Sequence, residues 1–157
     1  MELNGVPLHP LVVHAAVVFV PLAALGALVL ALVPRWRWAV RTPTLVLAVV
    51  AALSAQLAAF SGEDFMHRLS AHTELVDTHQ MWGDRLVIAM WVLAALTAAG
   101  WWLLPFTSPL PGRPERASRV PVLVLPMVLG LPVVAIAVLG LVVLTGDAGA
   151  RSAWGGQ

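Results

Sequence analysis

Four unbroken apolar runs, Leu11–Val33, Thr44–Phe60, Leu86–Leu104 and Val122–Thr145, constrain this chain more than any other feature. Each is close to the ~20 residues that an α-helix needs to cross about 30 Å of hydrocarbon. In lipid every backbone N–H and C=O must be satisfied internally, which leaves helices or closed barrels. Barrel strands alternate apolar and polar residues over about ten positions, whereas these runs are continuous and rich in Ala and Leu. The expected fold class is therefore all-α, a polytopic four-transmembrane-helix bundle in a single domain, 1–157. Loops 34–43 and 105–121 lie on one side and loop 61–85 on the other. A cleaved signal followed by three spans is the alternative. Met1-Glu2-Leu3-Asn4 lacks a basic start for it, and the first run exceeds the usual 7–15 or so apolar residues.

Composition supports lipid as the solvent. The chain of 157 residues is 60% hydrophobic and 11% charged, against roughly 45–50% and about 25% in soluble domains. So short a domain could not bury that much apolar surface in water. Nine basic residues, all Arg, face eight acids, too small a surplus for nucleic-acid binding. Without Cys there is no disulfide, thiolate metal site or covalently attached haem, and without Lys no Schiff base or P-loop. His72-Thr73-Glu74 is not H-E-x-x-H, and no G-x-S-x-G elbow occurs. No enzyme class is supported.

Arginines orient the chain. Arg35, Arg37 and Arg41 lie between the first two runs and Arg113, Arg116 and Arg119 between the last two, so those loops are expected to be cytoplasmic. Arg68, Arg85 and Arg151 lie opposite. Both termini are then extracytoplasmic, as in a multi-pass protein of the bacterial cytoplasmic (inner) membrane. Trp36, Trp38, Trp101 and Trp102 fall at the inner interface, Trp82 and Trp154 at the outer one. Ala51/Ala55, Ala94/Ala98 and Ala95/Ala99 provide one-turn pairs of small residues for close helix packing. Pro21, Pro126 and Pro132 predict kinks. No internal repeat is evident, although four helices would permit a two-plus-two duplication.

The five histidines, His9, His14, His67, His72 and His79, all lie toward the outer side, with Glu63, Asp64, Glu74, Asp77, Asp84 and Asp147. For His67, Asp64, Glu74 and Asp77 the plain reading is a solvated loop. His14 lies inside the first span, where a polar group is costly and marks a site unless it only satisfies packing. Five residues separate it from His9, about 140° around a helix, so the two should not share an ion. His79, near the start of the third run, is the preferred partner of His14. His72 is about 10.5 Å further along the axis, and Glu63 and Asp147 end spans two and four.

The residues from Gly5 to Leu28, GVPLHPLVVHAAVVFVPLAALGAL, resemble the opening of a bacterial four-helix membrane family designated domain of unknown function two-two-three-one. The resemblance continues through Ser61-Gly62-Glu63, His79 with Gly83, and the ending GDAGARSAWGG from Gly146 to Gly156. Relatives often carry His where this chain has Asp147, and the Asp form resembles an actinobacterial subgroup. Some members resemble fusions to Rieske-type iron–sulfur domains, which implies an electron-transfer setting.

Four functions are open on these residues. A b-type haem could be held by His14 and His79, with Arg85 on a propionate. A metal could be held by His14, His79, Glu63 and Asp147, with His9 and His72 as secondary candidates. The same groups could sense protons. Alternatively the chain is a non-catalytic membrane subunit whose partner is another membrane subunit or a redox protein. The lipid bilayer is a partner in every case, and nucleic acid in none.

Overall fold

The structure is a computed structural model that describes residues 2–3, 6–69, 73–112 and 115–154. A two-residue antiparallel pair, β1 (Glu2–Leu3) with β2 (Val6–Pro7), precedes four helices. These are α1 (Leu8–Leu32), α2 (Arg37–Leu69), α3 (Glu74–Leu103) and α4 (Val124–Trp154). All four are long and apolar enough to cross a membrane. They run up and down with α1 against α2, α3 against α4, and lighter packing of α2 on α3 and α1 on α4.

The segment expected as loop 61–85 is largely helical. α2 continues to Leu69 and α3 starts at Glu74, because a polar sequence does not end a helix unless a breaker does so. Thr73 instead starts one, its side chain accepting from the Val76 N–H, with Glu74 and Asp77 in the favourable first turn. Likewise α2 begins at Arg37 inside the expected 34–43 loop, after a 3₁₀ turn at Pro34–Trp36. The helices run on through Pro21, Pro43 and Pro132.

The core is a seam of small residues. Ala23, Ala24, Ala27, Ala48, Ala51 and Ala52 are fully buried, with Val20, Met90, Leu93, Leu131 and Val138 filling between them. Of the small-residue pairs expected on α3, only Ala94 is buried; Ala95 and Ala98 are exposed. The close-packing face of α3 is Ala94, Thr97 and Gly100, so neither Ala94/Ala98 nor Ala95/Ala99 enters the seam as a pair. Outward, Ile88, Leu125, Val133, Ile136 and Val143 present a broad apolar surface, as lipid contact requires.

An internal two-plus-two repeat that residue identity does not reveal shows in the pattern of burial. At one constant offset the buried positions of α1 reappear on α3: Ala16 as Leu86, Val20 as Met90, Ala23 as Leu93, Ala24 as Ala94, Ala27 as Thr97. At a second offset α2 reappears as α4: Thr44 as Leu131, Ala48 as Ala135, Ala51 as Val138, Ser61 as Ala148. Pro34–Trp36 and Pro121–Leu123 are matching 3₁₀ turns, each closed by a bond to the preceding valine, Val33 or Val120. The longer second connection, ordered by a backbone bridge between Phe106 and Arg116, accounts for the change of offset. Few residue identities survive because a two-fold core needs complementary volumes, Ala opposite Leu, rather than equal ones.

Candidate functional site

At the end of the bundle where α1 and α3 begin, the repeat carries polar chemistry. His9, near the start of α1, donates its Nδ1–H to the Ala58 carbonyl of α2 at 2.9 Å, with Ser61 Oγ at 3.3 Å. His79, near the start of α3, makes the same bond to the Thr145 carbonyl of α4, again at 2.9 Å. A carbonyl only accepts, so Nδ1 carries the proton and the lone pair of each neutral ring sits on Nε2.

Each ring lies on a glycine one turn beyond its acceptor. A Cβ at Gly62 would stand 3.1 Å from His9 Cε1, and one at Gly149 would stand 2.9 Å from His79 Cε1. A side chain at Gly149 would force the His79 ring to shift, and one at Gly62 would press on His9 by a few tenths of an ångström. His9 is half-buried, and burial pushes its pKa below the ordinary 6.5. The Ala58 bond acts in the opposite direction, while charge on His79 adds to the lowering, so the two rings lie within each other's field.

The other expected residues sit elsewhere. His14 is on an exposed face of α1, turned away from the side that buries His9, as their 140° separation demands. The ring with the same anchorage as His79 is His9. Glu63 is exposed. Asp147 is exposed and paired with Arg151 on its own helix at 2.9 Å. Arg85 is exposed, its guanidinium 4.7 Å from the centre of the Trp82 ring. His72 and the side chain of His67 lie outside the described residues. Among the described residues no three His, Asp or Glu side chains come together as a metal site, so the set His14, His79, Glu63 and Asp147 does not assemble.

Sequence reasoning missed Ala58, Gly62, Thr145 and Gly149. A backbone carbonyl carries no residue-specific signal, and Gly62 and Gly149 entered the sequence reading only within the family resemblance.

The paired construction draws on both ends of the chain, and so does its likeness to known sequences: the DUF2231 profile, described as a predicted membrane protein, matches residues 5–157. The chain belongs to the DUF2231 family. Four helices capable of crossing a membrane agree with that family's description. The match takes in His9, His79, Gly62 and Gly149, so both halves of the repeat lie within one DUF2231 unit. No curated protein and no solved structure matches the chain.

Proposed function

We propose that His9 and His79 form a ligand pair for a b-type haem, and that the chain is a membrane electron carrier serving a redox partner. The observation that carries this reading is their identical anchorage. Ligating imidazoles characteristically donate the other ring N–H to a carbonyl or carboxylate, which fixes tautomer and orientation. Both rings do so here, from helices that face each other across a bundle, the usual setting for cofactor sites in helical bundles. The donor chemistry suits the group: two imidazoles, each held through Nδ1 by a backbone carbonyl. Haem would supply one-electron transfer; the chain's own part is to hold both rings and, through Arg85, to offer a cation to a propionate. The arginine distribution supports placing this end on the extracytoplasmic side of a bacterial cytoplasmic membrane.

The test is haem-supplemented expression, purification in mild detergent and a pyridine haemochrome assay. The expected result is a stoichiometric b-type spectrum, lost in His9→Ala and His79→Ala and kept in His14→Ala. A well-folded, colourless protein overturns it.

A second reading rests on the close approach of both rings to glycine backbone. The imidazoles then act as clamps, α1 to α2 and α3 to α4, in a non-catalytic subunit. In that case His9→Ala and His79→Ala lower thermal stability by the same amount with and without haem.

A further inference from the structure

The opposite end of the bundle is built from arginines. Arg37 is already committed: its Nε donates to the Leu30 carbonyl at 2.9 Å, and its two terminal nitrogens to Ala31 at 2.8 Å and Pro105 at 3.3 Å. Arg41 donates to the Trp101 carbonyl and is sandwiched between the Trp101 and Phe106 rings. Arg116 is fixed differently. Its backbone exchanges two 3.0 Å hydrogen bonds with Phe106, and its guanidinium lies 5.7 Å from the Trp101 ring centre. Its Nη1 is buried with no acceptor among the described residues.

Arg35, Arg37 and Arg116 line one pocket of about 560 Å³, with Phe106 as an apolar wall and the exposed Glu115 at its edge. Among the described residues this end holds five arginines, Arg35, Arg37, Arg41, Arg116 and Arg119, against one carboxylate, and none of them is in an ion pair. A buried guanidinium N–H without an acceptor is costly, and an anion is its natural complement. Guanidinium forks match phosphate oxygens in charge and plane. The pocket lies where α2 starts and α3 has just ended, the level of a membrane interface, beside the exposed indoles of Trp36 and Trp102.

The geometry points to a binding site for the phosphate of an anionic phospholipid, held by Arg116 and Arg35, with Arg37 as the scaffold that shapes the pocket. The positive start of α2 adds to the attraction, and acyl chains would continue along the lipid-facing helices.

The test measures thermal unfolding of the purified protein in uncharged detergent with added dioleoylphosphatidylglycerol, dioleoylphosphatidylcholine or inorganic phosphate. The expected result is protection by phosphatidylglycerol with a preference of about thirtyfold over phosphatidylcholine, the order that two arginines near an anionic surface give. Arg35→Gln with Arg116→Gln should erase that preference. Glu115→Gln, which leaves both arginines in place, should increase it and serves if the double variant fails to fold. Equal protection by the two lipids, or an unchanged preference in the arginine variant, overturns the site. Full protection by inorganic phosphate alone overturns the lipid as its source.

Discussion

His9 and His79 make the same contact on different helices: each Nδ1 lies 2.9 Å from a backbone carbonyl one turn before the glycine under its ring. Two such contacts, one per helix pair, mark the internal repeat at its most demanding point, because ring, carbonyl and glycine must all be right together.

That packing predicts a difference between two alanine substitutions. Gly149→Ala forces a Cβ to 2.9 Å from His79 and must swing the ring off Thr145, costing about 1–2 kcal/mol. Gly62→Ala should cost less, its nearest approach being 3.1 Å. With His79→Ala already present, Gly149→Ala should instead be neutral or gain up to about 1 kcal/mol in helix propensity. Equal costs of Gly149→Ala in the two backgrounds, measured by unfolding in detergent, would dismiss the ring-on-glycine contact.

Arg37 closes the far end of the first pair. It is only 5% exposed and holds three carbonyls, two of them from the last turn of α1. Arg37→Ala should lower stability by about 3 kcal/mol, since these charge-assisted bonds are lost and the carbonyls stay buried. Arg37→Lys should recover less than half, because one ammonium cannot span acceptors that a planar fork reaches. The readout is the detergent unfolding midpoint; full recovery by lysine would contradict the role of the fork.

Thr97 is fully buried, and its Oγ1 has no partner among the described residues. Its repeat mate is Ala27, equally buried. Thr97→Val, which keeps the shape and removes the orphan hydroxyl, should stabilise by about 1 kcal/mol. A loss of stability on that change would mean that the hydroxyl is satisfied in the folded protein.

The folded-state pKa of His9 is lowered from 6.5. The unfolded chain therefore binds its proton first as pH falls, so this contribution to stability is complete above 6.5 and is lost as pH drops through the lower folded value. A titration of the unfolding midpoint should show this decline on the acid side of 6.5, and His9→Gln should flatten it. A wild-type midpoint that rises on acidification through the same range would contradict the sign.

Lys-free, Cys-free apolar runs and clustered arginines are legible as four membrane helices and an arginine end, and the DUF2231 match agrees with the membrane reading. The histidines were less legible. His14 drew attention by its depth in a span, yet the rotation of α1 leaves it exposed while His9, one and a half turns earlier, is half-buried. The 61–85 segment read as a loop because it is polar, but polarity reports solvent rather than backbone conformation, and the helices simply extend beyond the apolar stretch.

What the sequence determined by itself is the solvent and the element count, because transfer of apolar residues into lipid is a sum over local composition. Which histidine meets which carbonyl was decided only by tertiary structure. The partners Ala58 and Thr145 contribute backbone oxygens that every residue has, and the glycines beneath the rings contribute the absence of a side chain. Neither leaves a chemical mark in the sequence, so the paired site becomes visible only when the two halves pack against each other.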